Sequence, residues 1–153
     1  MNVQADIAAR TIEISRLIDA PRALVFEVFT NPKHIDAWWG PEGFRNETHS
    51  MKFEQGGIWH YTMHGPDGKD WPNWIGYKRI VLNELLTYDH GGELNEPAHF
   101  TGEIRFADEA GKTRVTLSLL LPSVEDKEAK VKFGAVQGGE QTLSRLDAYV
   151  ISL

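Results

Sequence analysis

One change of rhythm constrains this chain more than any other feature. Between residues 47 and 121 apolar side chains recur at every second position within successive short runs, and beyond Pro122 they recur at every third and fourth. Val115, Leu117, Leu119 and Leu121 alternate with polar Thr116 and Ser118, whereas Val136, Gly139, Leu143, Leu146, Val150 and Leu153 make one stripe. A period of two is a strand with one buried face, and a period of 3.6 is an amphipathic helix. A sheet with one apolar face and a helix with one apolar stripe must cover each other. The expected class is α+β: a curved antiparallel sheet around a long C-terminal helix.

The runs place strands over residues 11–18, 47–53, 58–64, 74–82, 85–90, 99–106 and 113–121. Gly65-Pro66-Asp67-Gly68 and Asp108-Glu109-Ala110-Gly111 are the strongest turn signals between them. Short turns between successive strands imply an antiparallel meander. Asp19 with Pro21 signals a short helix over 21–30, and Asn31-Pro32 signals a second to about Trp38, which Gly40-Pro41 ends. Ser123, with Asp126 three residues on, is placed to cap the C-terminal helix. Residues 1–10 read as a flexible leader and residues 11–153 as a single domain; a chain of 153 residues can bury one sizeable core.

Composition removes several classes of function. A formal net charge of −6 with no concentrated basic stripe argues against nucleic-acid binding, because phosphate contact needs clustered lysine and arginine. With no cysteine, the chain has no disulfide, thiolate metal site or cysteine nucleophile, which suits a reducing cytoplasm. No secretory signal or bilayer-length apolar run is present, so no membrane insertion is expected. His60 and His64 are the nearest candidates for a metal pair. On a strand, however, four residues span roughly 13 Å, too far for two ligands of one ion. Neither a metal nor a cofactor is expected, and no nucleophile elbow, phosphate loop or dinucleotide fingerprint occurs.

The stripe of the C-terminal helix has a gap. Gly138 and Gly139 sit near its middle, where a helical glycine costs roughly 1 kcal/mol relative to alanine. Either the helix breaks there, or the missing side chains leave room above the sheet. Trp59, Tyr61 and Met63 on one strand face, with Tyr77 beside them, would then wall a small-molecule cavity. Trp39 reads as a rim clamp or as helix packing, Leu143 as a neighbour of Gly139 on the stripe, and His49 as an inward polar group beside Met51 and Phe53. The candidate ligand-binding set is Trp39, His49, Trp59, Tyr61, Met63, Tyr77, Gly139 and Leu143. His90 joins His49 as a candidate acid or base. On this reading Gly139→Trp would fill the cavity and leave the fold intact.

Several segments carry a family resemblance: Asp19-Ala20-Pro21, residues 26–32, Trp38-Trp39-Gly40-Pro41, Gly56-Gly57-Ile58-Trp59, Gly65-Pro66-Asp67-Gly68, residues 111–117, and Gly138-Gly139-Glu140-Gln141 running on to Leu146. The chain resembles, from about Thr11 to Val150, the branch of the START-like (SRPBCC) superfamily named for homologues of the activator of heat-shock protein 90 ATPase. The resemblance implies the helix-grip fold shared with Bet v-like proteins and a deep cavity between helix and sheet. It implies no shared catalytic set, since relatives range from co-chaperone domains to lipid binders, resistance proteins and polyketide cyclases. Many relatives carry tryptophan where this chain has Gly139, which should widen the cavity here.

Three functions follow as expectations. The first is binding of a small hydrophobic or aromatic molecule. The second is an enzyme of cyclase, dehydratase or hydrolase type using His49, His90 or a cavity tyrosine. The third is a stress-response module acting on a heat-shock protein 90-type chaperone. It is the weakest, because the eukaryotic co-chaperones carry a further N-terminal domain for which this length leaves no room. Whether the chain forms a homodimer is left open.

Overall fold

The computed structural model describes residues 2–153. Helix α1 (Val3–Ala9) precedes strand β1 (Thr11–Ile18), and the short helices α2 (Arg22–Glu27) and α3 (Pro32–Ile35) follow it. Six strands come next: β2 (Arg45–Met51), β3 (Ile58–His64), β4 (Asp70–Val81), β5 (Leu85–Gly91), β6 (Phe100–Glu109) and β7 (Lys112–Leu120). Helices α4 (Val124–Lys132) and α5 (Ala135–Ile151) end the chain. The strands form one antiparallel sheet in the order β1-β7-β6-β5-β4-β3-β2, so a continuous meander is joined at one edge by the first strand. Thr11 faces Leu120 and Ile18 faces Thr113 across that junction.

Strand alternation decides which face is buried. Ile12, Ile14 and Ile18 of β1, Leu86 and Tyr88 of β5, and Ile104 and Phe106 of β6 all turn inward. Over the β1 side α5 lays Leu143, Leu146 and Val150, and Asp147 anchors it by pairing with Arg16 at 3.1 Å. Over the opposite half, rings close the concave face. Phe29 meets Trp38 and Phe106 edge-on, with centroids 4.7 and 5.2 Å away, and Trp59 stacks on Tyr61 at 3.8 Å. Each buried aromatic removes roughly 150–250 Å² from water, so few rings seal a large area.

The local signals hold in part. Asn31 and Ser123 cap α3 and α4 by accepting from His34 N–H and Asp126 N–H. Asp19 caps nothing: α2 begins after Pro21 without a side-chain cap, and the Asp19 N–H donates to Asp147. Residues 1–10 were expected as a flexible leader, and residues 3–9 of it are helical. Asn2 accepts from the N–H groups of Gln4 and Ala5, and Arg10 ties the end of α1 to the Leu121 carbonyl at 2.7 Å.

The glycine pair does not break the helix. α5 runs through Gly138 and Gly139, and the break falls at Gly134, whose φ of +89° separates α4 from α5. That left-handed conformation costs glycine nothing and strains any residue with a Cβ.

A second difference lies in β2. The register slips between Thr48 and Ser50, a bulge that lets Asn46 and Thr48 point inward and turns His49 out to solvent. An inserted residue inverts the parity of everything beyond it.

On the outer face of this edge His64 contacts Asp70 through Nδ1 at 2.6 Å and Glu47 through Nε2 at 2.9 Å, and when protonated it donates to both. The Glu47 and Asp70 carboxylates raise the imidazole pKa above its ordinary value, and His64 in turn lowers that of Glu47. The imidazolium's contribution to stability is thus present below pH 6.5 and lost as pH rises through its raised value; that of Glu47 is present above pH 4.5. His64→Gln should therefore lower the urea midpoint near pH 5.5 and leave it unchanged near pH 9. An equal loss at both values would show that charge plays no part in this contact.

Candidate functional site

Between sheet and C-terminal helices lies a hollow of about 770 Å³. Its floor comes from the inward faces of β1, β7 and β5: Ile14, Leu117, Leu119, Tyr88 and His90. Its roof is the α4–α5 corner, with Ala129, Lys130, Gly134, Ala135, Gly138 and Gly139. Trp39, Gly40, Pro41 and Met63 close one end. Exposed His99, Asp126 and Phe133 mark the opening, and the Phe133 ring is 89% exposed. A volume of this size with mainly apolar walls matches small-molecule sites in general. A second hollow of about 730 Å³ lies on the other side of the sheet beneath α1, where Gln4, Glu13, Lys78, Thr101 and Glu103 set polar groups among Ile7, Ala8 and Leu120.

The residues expected to wall the cavity divide. Trp39, Met63 and Gly139 line it. Trp59, Tyr61, Tyr77 and Leu143 lie in the packed core beside it, all but inaccessible. Trp59 donates to Thr48 Oγ1 and Trp39 donates to the Tyr61 hydroxyl, both at 3.0 Å, so the polar tips are satisfied by protein. Burial pushes the Tyr61 and Tyr77 phenols well above their usual range, so they remain neutral. His49 is corrected outright: the bulge turns it to the outer face, where it bonds Thr62 Oγ1 at 2.7 Å and lies against His60.

Gly139 requires a second correction. A Cβ there would meet Ile14 Cδ1 at 2.2 Å, so the missing side chain lets α5 press onto β1 and opens no room. The space freed by hydrogen is filled by isoleucine. Tryptophan could not enter without displacing it, so Gly139→Trp is expected to cost stability. A Cβ on Gly138, by contrast, would make ordinary contact with Pro41 at 3.5 Å.

The polar end of the hollow holds residues the sequence reading had weighed lightly or missed. His90 donates from Nε2 to Asn73 Oδ1 at 2.8 Å, which leaves Nδ1 as an acceptor. Burial, reinforced by the nearby charge of Lys130 and by His99, pushes its pKa down to about 3, so the ring is neutral at ordinary pH. Lys130 lies 4.8 Å over the Phe100 ring, and burial lowers its pKa too. Arg145 lies off the apolar stripe of α5. Its guanidinium reaches the carbonyls of Trp39, Gly40 and Pro41 at 3.2, 2.8 and 2.9 Å, clamping the loop that walls the cavity. A single arginine on a polar helix face carries no periodic signal that would distinguish a clamp from a solvated charge.

Comparison with known proteins agrees with this architecture. The chain is similar to protein Ms6760 from Mycobacterium smegmatis, with 21% identity over 96% of this chain and 94% of that one and a TM-score of 0.86. It is similar to a protein from Arthrobacter aurescens at 23% identity, covering 97% and 90% of the two chains with a TM-score of 0.87. The AHSA1 protein from Silicibacter pomeroyi matches at 16% identity over 92% and 97%, with a TM-score of 0.70. At such identities the likeness is one of fold. No curated protein matches the chain. No helix among the described residues is long and apolar enough to cross a membrane. The family model described as "Activator of Hsp90 ATPase homolog 1-like protein" matches residues 19–151, and the chain belongs to that family of the SRPBCC superfamily.

Proposed function

We propose that this chain binds a small hydrophobic or aromatic molecule in the cavity between the sheet and its C-terminal helices, in the cytoplasm and as a single domain over residues 11–153. The observation that carries this reading is the hollow of about 770 Å³ floored by Ile14, Leu117 and Leu119. Water held against those side chains is released when an apolar ligand replaces it, at roughly 25 cal/mol per Å² of apolar surface covered.

A thermal-shift screen over lipids, aromatic polyketides and flavonoids tests the reading. A ligand present at a hundred times its Kd adds about 2.7 kcal/mol of stability, which for a chain of this size raises Tm by roughly 5–10 °C. If no compound shifts the transition, the reading fails.

One observation favours a second reading, a cyclase- or hydrolase-type enzyme. His90 lines the cavity and donates from Nε2 to Asn73, which leaves Nδ1 without a proton as a base requires. A pKa pushed down to about 3 makes that base weak, because proton transfer is most effective when the catalytic pKa lies near the working pH. Binding is therefore the better-supported function.

A further inference from the structure

The cavity walls are apolar except at one end, and that end is electrically incomplete. Lys130 is the only lysine or arginine among the lining residues and Asp126 the only carboxylate. The two stand one helical turn apart on α4, yet they do not form an ion pair. Asp126 turns back to the start of its helix, where its Oδ2 accepts from Ser123 Oγ at 2.9 Å and its N–H donates to the same hydroxyl. Among the described residues no carboxylate lies within ion-pair distance of Lys130, whose ammonium instead rests against the face of Phe100.

The neighbours of Lys130 do not neutralise it. The neutral His90 ring also lies beside Phe100, with centroids 4.8 Å apart. A half-buried ammonium deprived of part of its water and given no counter-ion is unfavourable, and the lowered pKa of Lys130 reflects this. Such a group gains most from an anion supplied from outside the chain.

We propose that the cavity selects hydrophobic carboxylates, with the acid head paired to the Lys130 ammonium and the apolar body lying on Ile14, Leu117 and Leu119. This deepens the binding function proposed above and rests on it. The polarity of the arrangement also fixes a direction. Lys130 belongs to α4 beside the exposed His99 and Phe133, so the head stays at the mouth and the tail enters first.

The test uses a matched pair of probes, decanoate and 1-decanol, titrated calorimetrically into the full chain near neutral pH and at low salt. The two share a tail and differ in head charge. The wild type should bind the acid about tenfold more tightly than the alcohol, as expected for one partly desolvated charge-assisted contact. In Lys130→Met that ratio should fall to about one, and in Lys130→Arg, which keeps the charge, it should persist. Equal affinities for the two probes in the wild type, or an acid preference that survives Lys130→Met, would overturn the selection of carboxylates while leaving the apolar cavity in use. Binding of neither probe would overturn the binding function and this inference with it.

Discussion

Gly139→Trp should destabilise this protein by about 3 kcal/mol, lowering Tm by roughly 10 °C, because the indole would have to occupy the place of the Ile14 side chain. The smaller change Gly139→Ala separates two effects. A methyl group would conflict with Ile14 Cδ1, the far end of a side chain that can rotate toward the hollow, while alanine recovers about 1 kcal/mol of helix propensity. That variant should unfold within about 1 kcal/mol of the wild type. The double variant Ile14→Ala/Gly139→Trp returns the volume that the ring needs. It should regain most of the lost stability, with the indole now inside the hollow and ligand binding gone. Calorimetric unfolding of the three variants decides the matter. If the single Gly139→Trp variant were as stable as the wild type, Ile14 would not be what excludes a larger side chain at position 139.

Arg145→Met should cost about 2–3 kcal/mol in denaturant unfolding, since it strips a charged donor from the Gly40 and Pro41 carbonyls. The Trp39 carbonyl keeps a donor in Asn46 Nδ2 at 2.7 Å, so damage should concentrate on the two residues after it. Arg145→Lys should rescue little, because an ammonium cannot spread its donors over several carbonyls as a planar guanidinium does. Full stability in Arg145→Met would mean that the loop is held by Asn46 and the aromatic packing alone.

The fold was legible because both periods were long and clean. β3 appears with the boundaries expected, residues 58–64, and every strand of the meander appears within a few residues of its expected place. Trp59, Tyr61 and Met63 share a face as the alternation required. The errors have one physical origin each. His49 was misplaced because a bulge is one inserted residue, and nothing in the composition of residues 45–51 marks where the parity inverts. The glycine pair left a helix break and empty space both open, because a sequence shows a missing side chain and cannot show which neighbour has moved into it.

The cavity was sought under the richest cluster of aromatics and lies beside it. Trp59 and Tyr61 stack on each other and are held by Thr48 and Trp39, so that half of the concave face is solid. The open half is walled by aliphatic residues of β1 and β7 and roofed by α4, where the telling residues, Lys130 and Gly134, belong to no apolar pattern. The N-terminal helix was missed for a similar reason: α1 buries no side chain and so leaves no stripe to detect.

Helix α4 shares that property with a different consequence. It contributes no buried residue, hangs from Pro122 at one end and turns on Gly134 at the other, yet it forms much of the cavity's roof. The free energy that keeps the roof in place is thus separate from the free energy that keeps α5 on the sheet. On the proposed binding function, a molecule would reach the interior by paying only for the first, at local cost and without loosening the core. On the binding function proposed above, residence time should depend on this nine-residue segment, and substitutions on α4 should alter it while leaving the melting temperature where it was.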